Sequence, residues 1–275
     1  MDDLTDVWRT QIWMYWENVK DQPRPEYLDL CMESIRMHHA GWNITVVDRH
    51  AADIMFPEMI PLLNAQPNPS LRADIVRYNL LARFGGIWLD SDTLILKNLG
   101  PLWDILDSVQ RPAGGARMGV LVGAPGAGPF MAVVEYFRHH PKKPLKWGGV
   151  CEIHDTHPMF HKFTHEVVSQ IRWERFNRFT TLPAEDLERA SDLVGGKPLY
   201  FLSGSDAVAL ILYNQVLRRS KSEFRHQSRE EVLRSQTIFG RIFRIALRQE
   251  ELPDLRQRAE TPKASAAMHE THGTS

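Results

Sequence analysis

Apolar and polar positions follow two rhythms along this chain. Gln11 to Trp16 (QIWMYW) is dense in aromatic and β-prone side chains and predicts a first strand. Asp21-Gln22-Pro23-Arg24-Pro25 breaks the pattern. From Glu26, the spacing of Tyr27, Leu28, Cys31, Ile35 and Met37 supplies the apolar stripe of a helix reaching about His39. Ala40-Gly41 ends it, and Trp42 to Asp48 (WNITVVD) predicts a second strand. Strand, helix and strand in that order form a βαβ unit, whose strands run parallel through a right-handed crossover.

The alternation continues. A short helix near Ala51 to Met55 leads into a loop spaced by Pro57, Pro61, Pro67 and Pro69, and Ser70 is the N-cap candidate of a helix that Gly85-Gly86 stops. Ile87 to Leu89 is a fully apolar strand, and Thr93 to Leu96 an edge segment. A helix from Pro101 to Val109, a strand at Val120 to Val122 and a helix from Pro129 to Arg138 follow. Lys146 to Phe163 is rich in Trp, Gly and His and reads as loop with short elements. Phe163 to Phe176 is a further amphipathic element and Leu199 to Leu202 a short strand. Such alternation predicts an α/β fold with a mainly parallel sheet flanked by helices. The character shifts near Ser222, giving three expected parts: a catalytic domain over 1–225, an amphipathic helical segment over 226–251 and a disordered tail over 252–275.

Length and charge narrow the function. A chain of 275 residues can bury one large core. With 33 Lys and Arg against 34 Asp and Glu, nothing overall draws it to nucleic acid. Its two cysteines, Cys31 and Cys151, lie far apart and suit a reducing compartment. The N-terminus has no basic-then-apolar leader, and no apolar run reaches the roughly eighteen residues of a membrane span, so a cytoplasmic location is expected. Glu231 to Leu247 interleaves Arg234, Arg241 and Arg244 with apolar residues. Such a helix can lie peripherally on the inner face of an anionic membrane. More commonly it packs on the domain with its arginines in solvent.

The candidate chemistry is concentrated in SLRADIVRYNLLARFGGIWLDSD, Ser70 to Asp92. In an extended chain side chains repeat every two residues, so Asp90 and Asp92 are expected to point the same way. Two carboxylates at a strand end suit a hard divalent cation such as Mg²⁺ or Mn²⁺. Such a cation can act as a Lewis acid on a phosphate or diphosphate leaving group. A D-x-D alone is common, and its bland reading is a solvated turn. Asp74 and Arg77 stand i and i+3 on one helix. Spacing alone favours an exposed ion pair, worth about 0–1 kcal/mol, over a sugar-orienting pair. His157, His161 and His165 would line one helix face below His154 and Asp155, but Pro158 interrupts that helix. Acceptor contact or loop polarity accounts for this cluster better than a metal site.

The block RADIVRYNLLARFGGIWLDSD resembles the signature of the DXD sugar-binding-region glycosyltransferases, at Asp74, Arg77, Phe84, Gly85, Gly86, Trp88, Asp90 and Asp92. These include the bacterial capsular polysaccharide synthesis proteins and the initiating α-mannosyltransferases, with the clostridial glucosylating toxins more distant. IWMYWEN, CMESIR and GWNITVVD resemble the capsular proteins best, so the likeness covers about Ile12 to Leu99. It implies a GT-A-like nucleotide-diphospho-sugar transferase fold, a UDP- or GDP-sugar donor, and Mn²⁺ or Mg²⁺ on Asp90 and Asp92. Asp74 and Arg77 would orient the sugar, Tyr15 and Trp16 would lie near the base, and Ser203 or Ser205 would supply a late polar contact. It also implies transfer with retention to a glycan or lipid-linked saccharide acceptor, in capsule or surface polysaccharide synthesis. Two rivals stand beside it: a catalytically degenerate nucleotide-sugar-binding or scaffold subunit, and a metal-dependent phosphatase or nuclease.

Overall fold

The β-prone run after residue 10 does form a strand, and its neighbours assemble as the βαβ pattern requires. β1 (Gln11–Tyr15), α1 (Glu26–His38) and β2 (Asn43–Val47) make one unit, with β1 and β2 parallel from Gln11 opposite Asn43 to Tyr15 opposite Val47. The computed structural model describes residues 4–19, 24–116, 119–146, 150–163, 167–170, 183, 207–212, 214 and 223–251. The tail over 252–275, Leu199 to Leu202, Ser203, Ser205 and His165 lie outside these residues.

Asp48 caps α2 (Arg49–Met55) by accepting from the Ala51 N–H. The proline-spaced stretch is more ordered than expected. Pro57 opens a 3-10 turn (Pro57–Met59), and Pro61 sits in the first turn of α3 (Ile60–Asn64), where its missing N–H costs nothing. Pro69 likewise opens α4 (Pro69–Phe84), and the cap is Asn68 rather than Ser70: the Asn68 side chain accepts from the Leu71 N–H, and the Ser70 hydroxyl donates to it. Gly85 and Gly86 end α4 with φ of 64° and 104°. A Cβ at Gly86 would lie 2.8 Å from the Gln11 carbonyl oxygen, so the turn into β3 (Gly86–Leu89) depends on glycine.

Beyond β3 the chain changes sheets. β4 (Thr93–Ile95) leaves for a second sheet, and α5 (Pro101–Ser108) returns the chain to the first. β5 (Ala113–Ala116) and β6 (Val120–Gly123) form a hairpin, and α6 (Gly128–His139), α7 (Cys151–Asp155) and β7 (Phe160–Lys162) follow. The main sheet has six strands in the order β2-β1-β3-β6-β5-β7. Its β2-β1, β1-β3 and β5-β7 pairs are parallel, and β6 is antiparallel to both its neighbours. The architecture is therefore α/β with a mixed, mainly parallel sheet. β8 (Val168–Gln170) and β9 (Ala209–Ile211) complete the second sheet, ordered β4-β9-β8. The amphipathic element expected from Phe163 thus contains a strand.

The amphipathic helical segment expected over 226–251 contains two helices. α8 (Arg229–Arg234) starts with a capping box between Ser228 and Glu231, and Thr237 caps α9 (Ile238–Ala246). The apolar face of α9 is not available to a membrane. Ile238, Phe239, Ile242, Phe243 and Ile245 are buried in one core with Tyr27, Leu28 and Cys31 of α1 and Leu94 of β4. Arg241 and Arg244 both reach Glu250, at 2.6 and 3.1 Å. Among the described residues no helix is long and apolar enough to cross a membrane.

His39, just past α1, ties this layer to the loop before α5. Its Nδ1–H donates to the Ile35 carbonyl at 2.8 Å, and its Nε2 accepts from the Leu99 N–H at 2.9 Å. Both bonds require a neutral ring, and burial lowers its pKa from 6.5 to about 4. Between those values the unfolded chain binds a proton that the folded chain refuses, so this residue's contribution to stability is lost as pH falls. We expect His39→Gln to remove about 2 kcal/mol of the stability difference between pH 7 and pH 4.5, measured by denaturant titration at both. An unchanged difference would mean that the ring titrates freely in the folded state.

Candidate active site

In the main sheet the chain passes from β1 to β2 on one side, and β3 lies on the other side of β1. That reversal opens a crevice at the carboxyl ends of β1 and β3, the place where open α/β sheets bind ligands. Trp16 and Glu17 follow β1, and Asp90 follows β3. The DXD segment and the aromatic end of the first strand therefore meet at one edge.

Asp90 and Asp92 do not continue the strand. The Thr93 N–H donates to the Asp90 carbonyl at 3.0 Å, closing a turn, and the two carboxylates take different partners. The Asp90 side chain accepts from Trp88 Nε1 at 2.8 Å and lies 3.4 Å from the Arg77 guanidinium. The Asp92 Oδ2 instead accepts from the Asn214 N–H. A turn therefore stands where strand periodicity was expected, and the Asp90 charge still acts on Asp92 across it.

Asp74 and Arg77 are each only 4% exposed, so they are not the solvated pair that their spacing favours. They meet at 2.6 Å, and the Arg77 guanidinium also lies 5.1 Å from the Trp88 ring centroid. Arg77 thus stands between Asp74 and Asp90, with Trp88 touching both Arg77 and Asp90.

Among the described residues, three carboxylates here gather around the Arg77 guanidinium. Burial, opposed by Arg77 and assisted by Asp90, raises the Asp74 pKa from 3.8 to about 6. Burial and the neighbouring Asp90 charge raise Asp92 to about 7, against the Asn214 N–H and Arg77, which lower it. Groups held this high gain most from an added cation.

The residues fit a hard divalent ion of a particular kind. Among the described residues no group of three or more His, Cys, Asp or Glu side chains could close around a metal. Two aspartates are instead the usual protein share for Mg²⁺, which completes its shell with water and substrate phosphates.

The other expected site residues divide. Tyr15 is a core residue, 5% exposed, and its hydroxyl donates to Glu17 Oε2 at 2.7 Å, so its ring is not presented to a base. Trp16 is only partly buried, its Nε1 donating to the Asn18 side chain at 3.0 Å. The histidines do not gather on a helix face. α7 stops at Asp155, His161 lies on β7, and His154 is buried with its Nδ1 2.8 Å from the Tyr78 hydroxyl.

Sequence reading missed the groups that frame this edge. Glu17 is gripped by Arg72, Nε to Oε2 at 2.7 Å and Nη2 to Oε1 at 3.0 Å, which fixes the chain after β1 to the first turns of α4. Asn214 arrives from the far end of the sequence. Glu17, following an aromatic strand, carried a weak signal, whereas Asn214 carried none.

An α/β fold with paired carboxylates at its switch point is the class that fold and site define. The family model described as capsular polysaccharide synthesis protein matches residues 4–104, the stretch that contains Asp74, Arg77, Asp90 and Asp92. No curated protein matches the chain. Among solved structures, the chain is similar to the galactosyltransferase LgtC in complex with donor and acceptor sugar analogues. That likeness has 13% identity over 90% of this chain and 99% of that one, with a TM-score of 0.46. The apo-form glycosyltransferase GlyE of Streptococcus pneumoniae TIGR4 has 13% identity over 87% of this chain and 62% of that one, with a TM-score of 0.46. The PaToxG glycosyltransferase has 10% identity over 88% and 87%, with a TM-score of 0.38. Identities this low carry nothing about substrate.

Proposed function

We propose that this chain is a metal-dependent glycosyltransferase of the GT-A type. In this reading it moves a sugar from a nucleotide-diphosphate donor to a hydroxyl of a glycan or lipid-linked saccharide during capsule synthesis. The observation that carries the reading is the gathering of Asp74, Asp90 and Asp92 around Arg77 at the carboxyl end of β3, with two of the three carboxyls raised well above their ordinary range. The family match over residues 4–104 supports the capsule setting.

Mn²⁺ or Mg²⁺ bound by Asp90 and Asp92 would supply Lewis acidity to the departing diphosphate. Asp74, buried and fixed by Arg77, is suited to accept from sugar hydroxyls. Arg77 holds Asp74 and Asp90 in one arrangement, so that donor binding need not order them. Trp16 offers a partly exposed ring to the base, and Arg72 keeps Glu17 and the loop beyond Trp16 in place. The reading includes retention of anomeric configuration, with the leaving diphosphate taking the acceptor proton on the same face. The reaction is placed in the cytoplasm, in keeping with the free, buried Cys31 thiol.

Isothermal titration of UDP- and GDP-sugars, with Mn²⁺ and with EDTA, tests this. One nucleotide sugar is expected to bind only with the metal, and Asp90→Ala is expected to weaken it at least about tenfold. A folded protein that binds no member of the panel under either condition would give way to the scaffold reading.

A further inference from the structure

Tyr27 stands at the start of α1, far in sequence from Asp90 and Asp92, and is fully buried. It packs against Phe224 at 5.3 Å and shares its core with Phe239 and Phe243 of α9. A tyrosine so placed could as well be a phenylalanine unless its hydroxyl has a task. That hydroxyl donates to the Asn214 Oδ1 at 2.6 Å. The backbone N–H of the same Asn214 donates to Asp92 Oδ2. One residue before the turn ends, the Asp92 carbonyl accepts from the Leu212 N–H at 3.0 Å, extending the β4–β9 ladder up to the carboxylate. Leu212 is therefore held by the ladder, while Asn214, two residues on, is held by Tyr27.

We propose that Tyr27 is a positioning residue for Asp92: its hydroxyl anchors the Asn214 side chain, and the anchored Asn214 amide fixes the Asp92 carboxylate for cation and donor. This rests on the donor-site reading above for its purpose, and on the two hydrogen bonds for its geometry. The amide commits Oδ2, which limits how the carboxylate can rotate. Without the anchor, the Asn214 side chain loses its hydrogen bond to α1, and its N–H is held less firmly against Asp92. The carboxylate would then lose the restraint on its Oδ2, and would hold a cation in less fixed geometry.

Two variants and two measurements test the proposal. Tyr27→Phe deletes only the hydroxyl, and Asn214→Ala deletes only its acceptor while keeping the backbone N–H. In the metal-free protein, amide exchange at residue 214 is expected to quicken at least about tenfold in either variant, with Leu212 unchanged, as for loss of one local bond. In the presence of a UDP-sugar or GDP-sugar, the Mn²⁺ concentration giving half-maximal binding is expected to rise about tenfold in each. The double variant should be no worse than either single one, because both break the same link. Unchanged exchange at residue 214, or additive effects in the double variant, would overturn the proposal. If wild type bound no metal or donor at all, the donor-site reading would fail by itself, and the exchange data would still decide whether Tyr27 holds Asn214.

Discussion

Asp92→Asn is expected to abolish metal-dependent donor binding and, in the metal-free protein, to raise the melting temperature by about 5 °C at pH 8. The two effects share one cause. In the folded chain Asp92 pays for burial beside Asp90 by holding its proton up to about pH 7, against an ordinary 3.8. Above pH 7 it is ionised in both states, and the folded state bears the whole cost. An asparagine keeps an oxygen for the Asn214 N–H and removes the charge, a gain of about 2 kcal/mol. The sign follows from the raised pKa: wild-type stability increases as pH falls from 8 through 7, while the variant lacks that increase. The advantage should therefore be widest at pH 8 and nearly gone by pH 5. Added Mn²⁺ should stabilise wild type alone and narrow the gap. Thermal melts of both proteins at the two pH values, with and without metal, read this directly. A variant no more stable than wild type at pH 8 would show that Asp92 is already compensated.

Arg77→Met is expected to cost about 3–5 kcal/mol of stability, because it strands the buried Asp74 carboxylate. Asp74→Asn alone should cost far less. Arg77 would keep Asp90 at 3.4 Å and the Trp88 ring at 5.1 Å, so no buried charge is left unpartnered. The double variant Asp74→Asn, Arg77→Met should recover much of the loss, since both charges are then gone from the interior. Urea midpoints of the three variants check this ordering. If Arg77→Met were no worse than Asp74→Asn, the interior would have to admit enough water to solvate Asp74, and its proposed contact with sugar would lose its pre-set geometry.

The parts of this fold that were legible in the sequence are those with local causes. β1, α1 and β2 declare themselves through apolar spacing, and Gly85-Gly86 marks the stop of α4 because the backbone there takes positive φ. The segment with the candidate chemistry was likewise visible, since Asp74, Arg77, Asp90 and Asp92 fall within nineteen positions. What was not legible depends on competition or on distance. Pro69 at the first helical position shifts the cap from Ser70 to Asn68. The Gly-rich β5 lacks the β-prone side chains that announce a strand, and stands because its neighbours β6 and β7 pair with it. The turn at Asp90 to Thr93 cancels strand periodicity where the two carboxylates need it. The burial of Asp74 and Arg77, which converts a weak surface pair into a strong interior one, depends on packing that no local pattern reveals.

The link between Tyr27 and Asn214 also bears on how the protein is made. It joins residues 187 positions apart, so it cannot form until residue 214 has been made. During synthesis, β1, α1 and α4 can assemble early, with Asp74 and Arg77 already paired. The amide that fixes Asp92, and α9, which covers Tyr27, come more than a hundred residues after the carboxylates. A nascent or truncated chain that stops before residue 214 therefore carries the carboxylates without the partner that sets them.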